Sequence, residues 1–172
     1  MYINDGHQSD CVFCRELAGS RETNFAKRYP ELSSRIVGET ESLVAFPCIG
    51  QVGPGHFLIV PKKHVATMRD AVAATISFSV QFAAIATHVH SLLDADPQDS
   101  LYFEHGAECP ADGGCGIYHA HVHVVPRASH VDLALTSPDQ FKGSYANIYS
   151  ALSAVGSKGS YLMFGTHKKG FI

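Results

Sequence analysis

His119-Ala120-His121-Val122-His123-Val124-Val125 is the stretch that decides how this chain folds. Successive residues of an extended segment point to opposite sides, so positions 119, 121 and 123 share one face. Ala120, Val122 and Val124 then share the other, and their apolar character supplies a face for a core. The spacing predicts a strand over Tyr118–Val125, stopped by Pro126. Its three imidazoles stand about 6–7 Å apart along the strand, close enough for neighbouring rings to meet one small anion or one metal. A lone strand histidine is ordinarily a polar surface residue. Three at strict two-residue spacing, next to the glycine-rich stretch His105–Gly116, ask for a function. Two remain open from the residues alone. One is an anion site. The other is a His-x-His metal site of the kind found in β-barrel dioxygenases, with Glu104 or His105 as a further ligand.

Working outward, Phe57-Leu58-Ile59-Val60 runs unbroken into Pro61 and reads as a strand over His56–Val60. Arg35–Gly38 and Ser42–Phe46 read as two more strands, and residues 10–18 as a short helical turn opening on Cys11-x-x-Cys14. Between Val65 and Leu93 the pattern turns helical. Val72, Ile76, Val80, Ala83, Ala84 and Thr87 recur at steps of three and four and predict one long helix with that stripe buried. Leu101–Glu104 and Tyr161–Gly165 read as strands, and Ser137-Pro138-Asp139 as the start of a helix over 139–155. Strands, a long helix, then more strands make an α+β chain with a mostly antiparallel sheet.

Bulk properties narrow the partners. A chain of 172 residues with 45% hydrophobic and 17% charged residues can bury a core without disulfide staples. A net charge of -3 and a pI near 6.4 offer no basic footprint, so nucleic acid is not an expected partner. Residues 71–93 are the longest apolar stretch, but Thr75, Ser77, Gln81, His88 and His90 make it too polar for a membrane span. No N-terminal stretch pairs a basic start with an apolar run, so a cytoplasmic location is expected. In that setting a Cys-x-x-Cys pair reads as metal or redox chemistry before it reads as a bridge.

Three motifs, in order, carry a resemblance. Gly55-His56-Phe57-Leu58-Ile59-Val60-Pro61-Lys62-Lys63-His64, Cys11-Val12-Phe13-Cys14 and the His119–Val125 run are similar to the signatures of the zinc-containing branch of the histidine-triad (HIT) superfamily. The likeness spans about residues 10–127. It implies a HIT-like α+β fold: a mostly antiparallel sheet of five strands or slightly more, one long helix, and a short N-terminal helix bound to zinc. One domain over 1–172 is expected, with 128–172 as a C-terminal extension packed on the core, and a homodimer as the assembly. The implied activity is that of a hydrolase or transferase. It would cleave a phosphate linkage of a small nucleotide derivative, a dinucleoside polyphosphate or a nucleoside phosphoramidate, through a covalent nucleotidyl-histidine.

By position His121 resembles the nucleophile, its other ring nitrogen held by an acceptor, often a backbone carbonyl. His123 resembles the residue that touches the non-bridging oxygens, where a protonated ring would offset charge. Cys11, Cys14, His64 and His119 resemble the ligands of a closed, structural zinc site. His56 either lines the phosphate pocket or packs beside its strand. Lys62, Lys63 and Arg127 read as solvated strand-end residues, and His88 and His90 as surface or interface residues.

The chain departs from the family at three places. Cys48 stands where many members carry an Asp that binds ribose hydroxyls, and a thiol cannot accept two strong bonds from a diol. Gly114-Cys115-Gly116 replaces Gly-Gln-Ser or Gly-Gln-Thr, leaving Cys115 either to donate weakly or to pack. Phe103-Glu104-His105-Gly106 replaces an Asn-x-Gly pattern, and Glu104 with His105 is a credible acid–base pair for substrate or for orienting His121. A Cys109–Cys115 disulfide is conceivable, but a reducing compartment argues against it. These substitutions motivate an alternative reading, a nucleotide- or partner-binding module with little turnover.

Overall fold

β-Branched and aromatic side chains bury Phe57–Pro61 on both faces, and this segment, β3, lies inside the sheet. The computed structural model describes residues 9–108, 116–131, 143–157 and 159–172. Its strands are β1 (Gly38–Glu39), β2 (Leu43–Pro47), β3, β4 (Leu101–Gly106), β5 (Val122–Val125), β6 (Tyr161–Thr166) and β7 (Gly170–Phe171). They form one antiparallel sheet of seven strands in the order β1-β2-β3-β5-β4-β6-β7. The α+β expectation is met, with a sheet wider than five. The extra width comes from the C-terminal segment, which supplies β6 and β7. Close approach there requires glycine: a Cβ on Gly165 would lie 2.3 Å from the Gly170 carbonyl oxygen.

Strand alternation sorts the side chains into two cores. Leu43, Ala45, Phe57, Ile59, Tyr102, Val122, Val124 and Met163 pack under α3 (Met68–Ala74), α4 (Phe78–Leu92) and α5 (Ile148–Ala154). Val44, Phe46, Leu58 and Val60 turn the other way and pack on Phe13 of α1 (Val12–Leu17). A further short helix, α2 (Asn24–Arg28), follows α1.

The single helix expected over 65–93 is corrected to two. Thr67 caps α3, its hydroxyl accepting the Asp70 N–H. The chain then leaves helical geometry at Thr75, and Ser77 takes a left-handed φ of 57° before α4 starts. The stripe drawn through Ile76 and Val80 is accordingly on the wrong side: they are 90% and 68% exposed. The buried face belongs to Phe78, Phe82, Ile85, Ala86, Val89 and His90. Two phenyl rings, stacked 5.7 Å apart, bury more surface than the valine and alanines they displace. His90, read as a surface or interface residue, is fully buried between the Ala86 carbonyl and the Ser100 hydroxyl, each 2.7 Å away.

Two strand bounds also shift. β1 begins at Gly38 rather than Arg35. The ladder of β5 covers Val122–Val125 only, because the Ala120 N–H turns to the Val65 carbonyl at 2.8 Å instead. The inward alternation of Ala120, Val122 and Val124 survives that change. Of the helix expected over 139–155, Ile148–Ala154 is helical, and 139–142 lie outside the described residues. Among the described residues no helix is long and apolar enough to cross a membrane.

Candidate active site and metal centre

Cys-x-x-Cys sits on the first turn of α1, with Cys11 as its N-cap and the Cys14 N–H donating to the Cys11 sulfur at 3.5 Å. One turn of helix therefore presents both thiols to one point. His64, past the end of β3, and His119, before β5, reach the same point. His119 Nδ1 lies 3.3 and 3.5 Å from the two sulfurs, and His64 Nδ1 lies 3.4 Å from Cys14 Sγ. All four ligand atoms fall within 4.8 Å of one another, a set able to hold a metal ion. His119 Nε2 donates to the Pro61 carbonyl at 2.8 Å, which leaves the Nδ1 lone pair turned to the sulfurs.

Phe13 joins this cluster to the catalytic candidates. Its ring meets His119, His121 and Phe46 edge-on, with centroids 5.7, 5.5 and 5.3 Å away. Arg35 fastens the same helix to the sheet. Its guanidinium bonds Glu16 at 2.7 and 2.8 Å and the Pro47 carbonyl at 2.7 Å, and lies 4.0 Å from the Phe46 ring centre. Burial raises the Glu16 pKa even against that pairing. Arg35 carries no sequence signal of its role, and Phe13 entered only as part of the Cys11–Cys14 motif, because each acts through long-range packing.

The histidines beyond His119 are set by hydrogen bonds and ring contacts. His121 Nδ1 donates to the His119 carbonyl at 2.7 Å, so the neutral ring carries its lone pair on Nε2. The ring is 6% exposed and is not a member of the Cys11, Cys14, His64 and His119 group. His123 follows at 4.9 Å between ring centres. The Val52 N–H donates to His56 Nδ1 at 3.3 Å, placing the His56 proton on Nε2, 2.9 Å from His123 Nδ1. His123 therefore accepts at Nδ1 and keeps its own proton on Nε2. Burial, then the neighbouring His121 and His56, push the His123 pKa down to about 3. Burial and the neighbouring rings thus work against the protonated His123 that the resemblance suggests. Burial likewise lowers the His56 pKa. Phe103 stacks on His123 at 4.4 Å with planes 2° apart. No reading of the sequence gave Phe103 a role, since it follows only from the pairing Phe103↔His123.

Glu104, one residue on, faces the opposite side. It is 1% exposed and accepts the Met68 N–H at 2.7 Å and the Tyr161 hydroxyl at 2.6 Å. Burial raises its pKa to about 7 despite those bonds. The structure thus places Glu104 beneath α3, apart from His123, where it is no partner for a His-x-His metal site. His105 is exposed on the Phe103 side of β4. Arg127 closes α4, donating to the Leu93 and Asp94 carbonyls at 3.0 and 2.8 Å. Lys62 pairs with Glu39 at 3.2 Å, and Lys63 is exposed. Cys109 and Cys115 lie outside the described residues. Cys48 is half-buried at the end of β2, its thiol 3.5 Å from the Gly50 carbonyl. It borders a cavity of ≈ 480 Å³ walled by Phe25, Tyr29, Ile36 and Ile49.

Comparison with known proteins covers the same ground. The HIT domain family matches residues 29–130. "Protein hit" of Bacillus subtilis is 28% identical over 120 residues, 69% of this chain and 71% of that protein. Adenylylsulfatase HINT3 of Arabidopsis thaliana is 27% identical over 122 residues, 70% of this chain and 53% of the relative, so this chain spans about half its length. The crystal structure of SMU.412c from Streptococcus mutans shares 30% identity with a TM-score of 0.50, over 77% of this chain and 76% of that one.

Proposed function

We propose that this chain, which belongs to the HIT family, is a hydrolase or transferase that cleaves a phosphate linkage of a small nucleotide derivative by way of His121. The observation that carries the reading is the 2.7 Å bond from His121 Nδ1 to the His119 carbonyl. It fixes the tautomer with the nucleophilic pair on Nε2, and it holds the Nδ1 proton where it disperses the positive charge the ring gains on attack. The Nε2–phosphorus bond forms as the bond to the leaving group breaks, and water or a second acceptor then displaces the imidazole. His123 donates its Nε2 proton to a non-bridging oxygen, a preorganised neutral donor in a water-poor site. His56 and Phe103 keep that donor in place.

A nucleoside fits the cavity beside Cys48, whose aromatic and aliphatic walls suit a planar base. The name of the Arabidopsis relative, an adenylylsulfatase, supports nucleotidyl chemistry of this class. Dinucleoside polyphosphates and nucleoside phosphoramidates are the substrates to try first.

Zinc suits the Cys11, Cys14, His64 and His119 set. A tetrahedral ion with bonds of about 2.3 Å to sulfur and about 2.0–2.1 Å to nitrogen sets its ligands roughly 3.5 Å apart. The sulfur–nitrogen separations of 3.3, 3.4 and 3.5 Å meet that requirement. Closed by four protein ligands, the ion would hold α1 against the strand that carries His121. A homodimer belongs to the same reading, supported by the family resemblance alone.

Mass spectrometry of rapidly quenched reactions tests the mechanism. A nucleotidyl mass is expected on the peptide that contains His121, and His121→Ala is expected to lower turnover by at least about a thousandfold while the metal content holds. Unchanged turnover in that variant would remove the mechanism. Cys48, in the place of a ribose-binding carboxylate, favours a second reading, a binding module with little turnover. Nucleotide binding without product across the substrate panel would select it.

A further inference from the structure

We propose that Cys48, His56 and His123 form a second metal site, for a thiophilic divalent cation of the zinc class, apart from the Cys11, Cys14, His64 and His119 set. Each of the three offers a ligand atom within 4.8 Å of the other two, and they share no residue with the first set. They come from the end of β2, the residue before β3, and β5, which are neighbours in the sheet. The Cys48 N–H bonds the His56 carbonyl at 3.0 Å, fixing those two in register.

Two imidazole nitrogens already converge: His56 Nε2 and His123 Nδ1 are 2.9 Å apart. A tetrahedral ion needs its nitrogen ligands roughly 3.3 Å apart, so the rings open by about half an ångström to admit it. The protons balance simply. Cys48 releases its thiol proton to solvent, and the His56 proton moves from Nε2 to Nδ1 at the cost of the 3.3 Å bond from Val52. Loading therefore releases one proton per ion. One thiolate and two imidazoles select zinc or cobalt and reject magnesium and calcium, which take oxygen ligands. Three protein ligands leave a fourth position for water or a phosphate oxygen. Cys48 and His123 are half-buried, and Cys48 opens on the cavity, so an entry path exists.

The claim stands on this geometry and holds whether or not the phosphate chemistry does, because its test reads metal and not turnover. Protein carrying one tightly held zinc is titrated with cobalt(II). A second equivalent is expected, with the charge-transfer absorption of a cobalt–thiolate bond, and Cys48→Ser is expected to lose that equivalent while keeping the first. In the wild type, added zinc is expected to protect Cys48 from alkylation by iodoacetamide, as read by peptide mass. The proposal is overturned by a chain that takes up no second equivalent, by a Cys48→Ser variant that retains it, or by Cys48 alkylating equally fast with and without zinc.

Discussion

Tyr102, Val122 and Val124 meet three helices on one face of the sheet, whereas on the other Phe46, Leu58 and Val60 meet the six-residue helix α1. The first face is filled mainly by hydrophobic burial, with Glu104 and His90 buried in it by hydrogen bonds. Among the described residues the second has a thin cover, and its polar groups sit where a core would be. Helix α1 is too short to be stable through its own backbone bonds. Instead it is held by Phe13, by the Arg35–Glu16 pair and by the two cysteines that converge with His64 and His119. A face built this way can carry buried imidazoles because hydrogen-bond partners, together with the Phe13 and Phe103 rings, fix their positions.

Removing the metal donors should break the comparison most sharply. Cys14→Ser, or treatment with a strong chelator, is expected to lower turnover on the order of 10- to 100-fold by loosening the cover over His121. The helices of the other face should keep their hydrogen-exchange protection. Equal loss of protection on both faces would show that the two are not independent.

Glu104 probes the thick face. Its pKa rises from 4.5 to about 7 in the fold, so between those values the native state holds a proton that the unfolded chain has released. Stability is therefore highest below this window and falls as pH rises through it, by at most on the order of 3 kcal/mol. Glu104→Gln keeps an acceptor for the Met68 N–H, turns its NH2 to donate to the Tyr161 oxygen, and removes the charge. Urea midpoints at pH 5 and pH 8 should converge in the variant and differ in the wild type.

The smallest effect is expected at Phe103. Phe103→Leu loses the stack on His123, worth about 1 kcal/mol, and should lower kcat by roughly tenfold or less with metal content unchanged. A loss equal to that of His121→Ala would mean that Phe103 holds more than one ring.

How much of this was legible follows from the range of each interaction. The alternation of Ala120, Val122 and Val124 against three histidines is local, set by the pleat, and it sorts those residues correctly even where the ladder stops at Val122. The Cys-x-x-Cys pair reads locally as metal or redox chemistry, and the resemblance to the HIT family adds His64 and His119, completing the donor set that the structure brings together. The buried side of 65–93 was not legible, because periodicity proposes a stripe and only the sheet beneath decides which stripe it will accept. The same holds for Glu104, which lies one residue from Phe103 and on the other side of the strand. Pairing decides that Phe103 opposes His123, and with it Glu104 turns under α3. Composition and spacing thus marked out the histidines and cysteines that this protein brings together. Tertiary contact, acting between residues far apart in the chain, chose their faces, their hydrogen-bond partners and the burial that disfavours charge on His123.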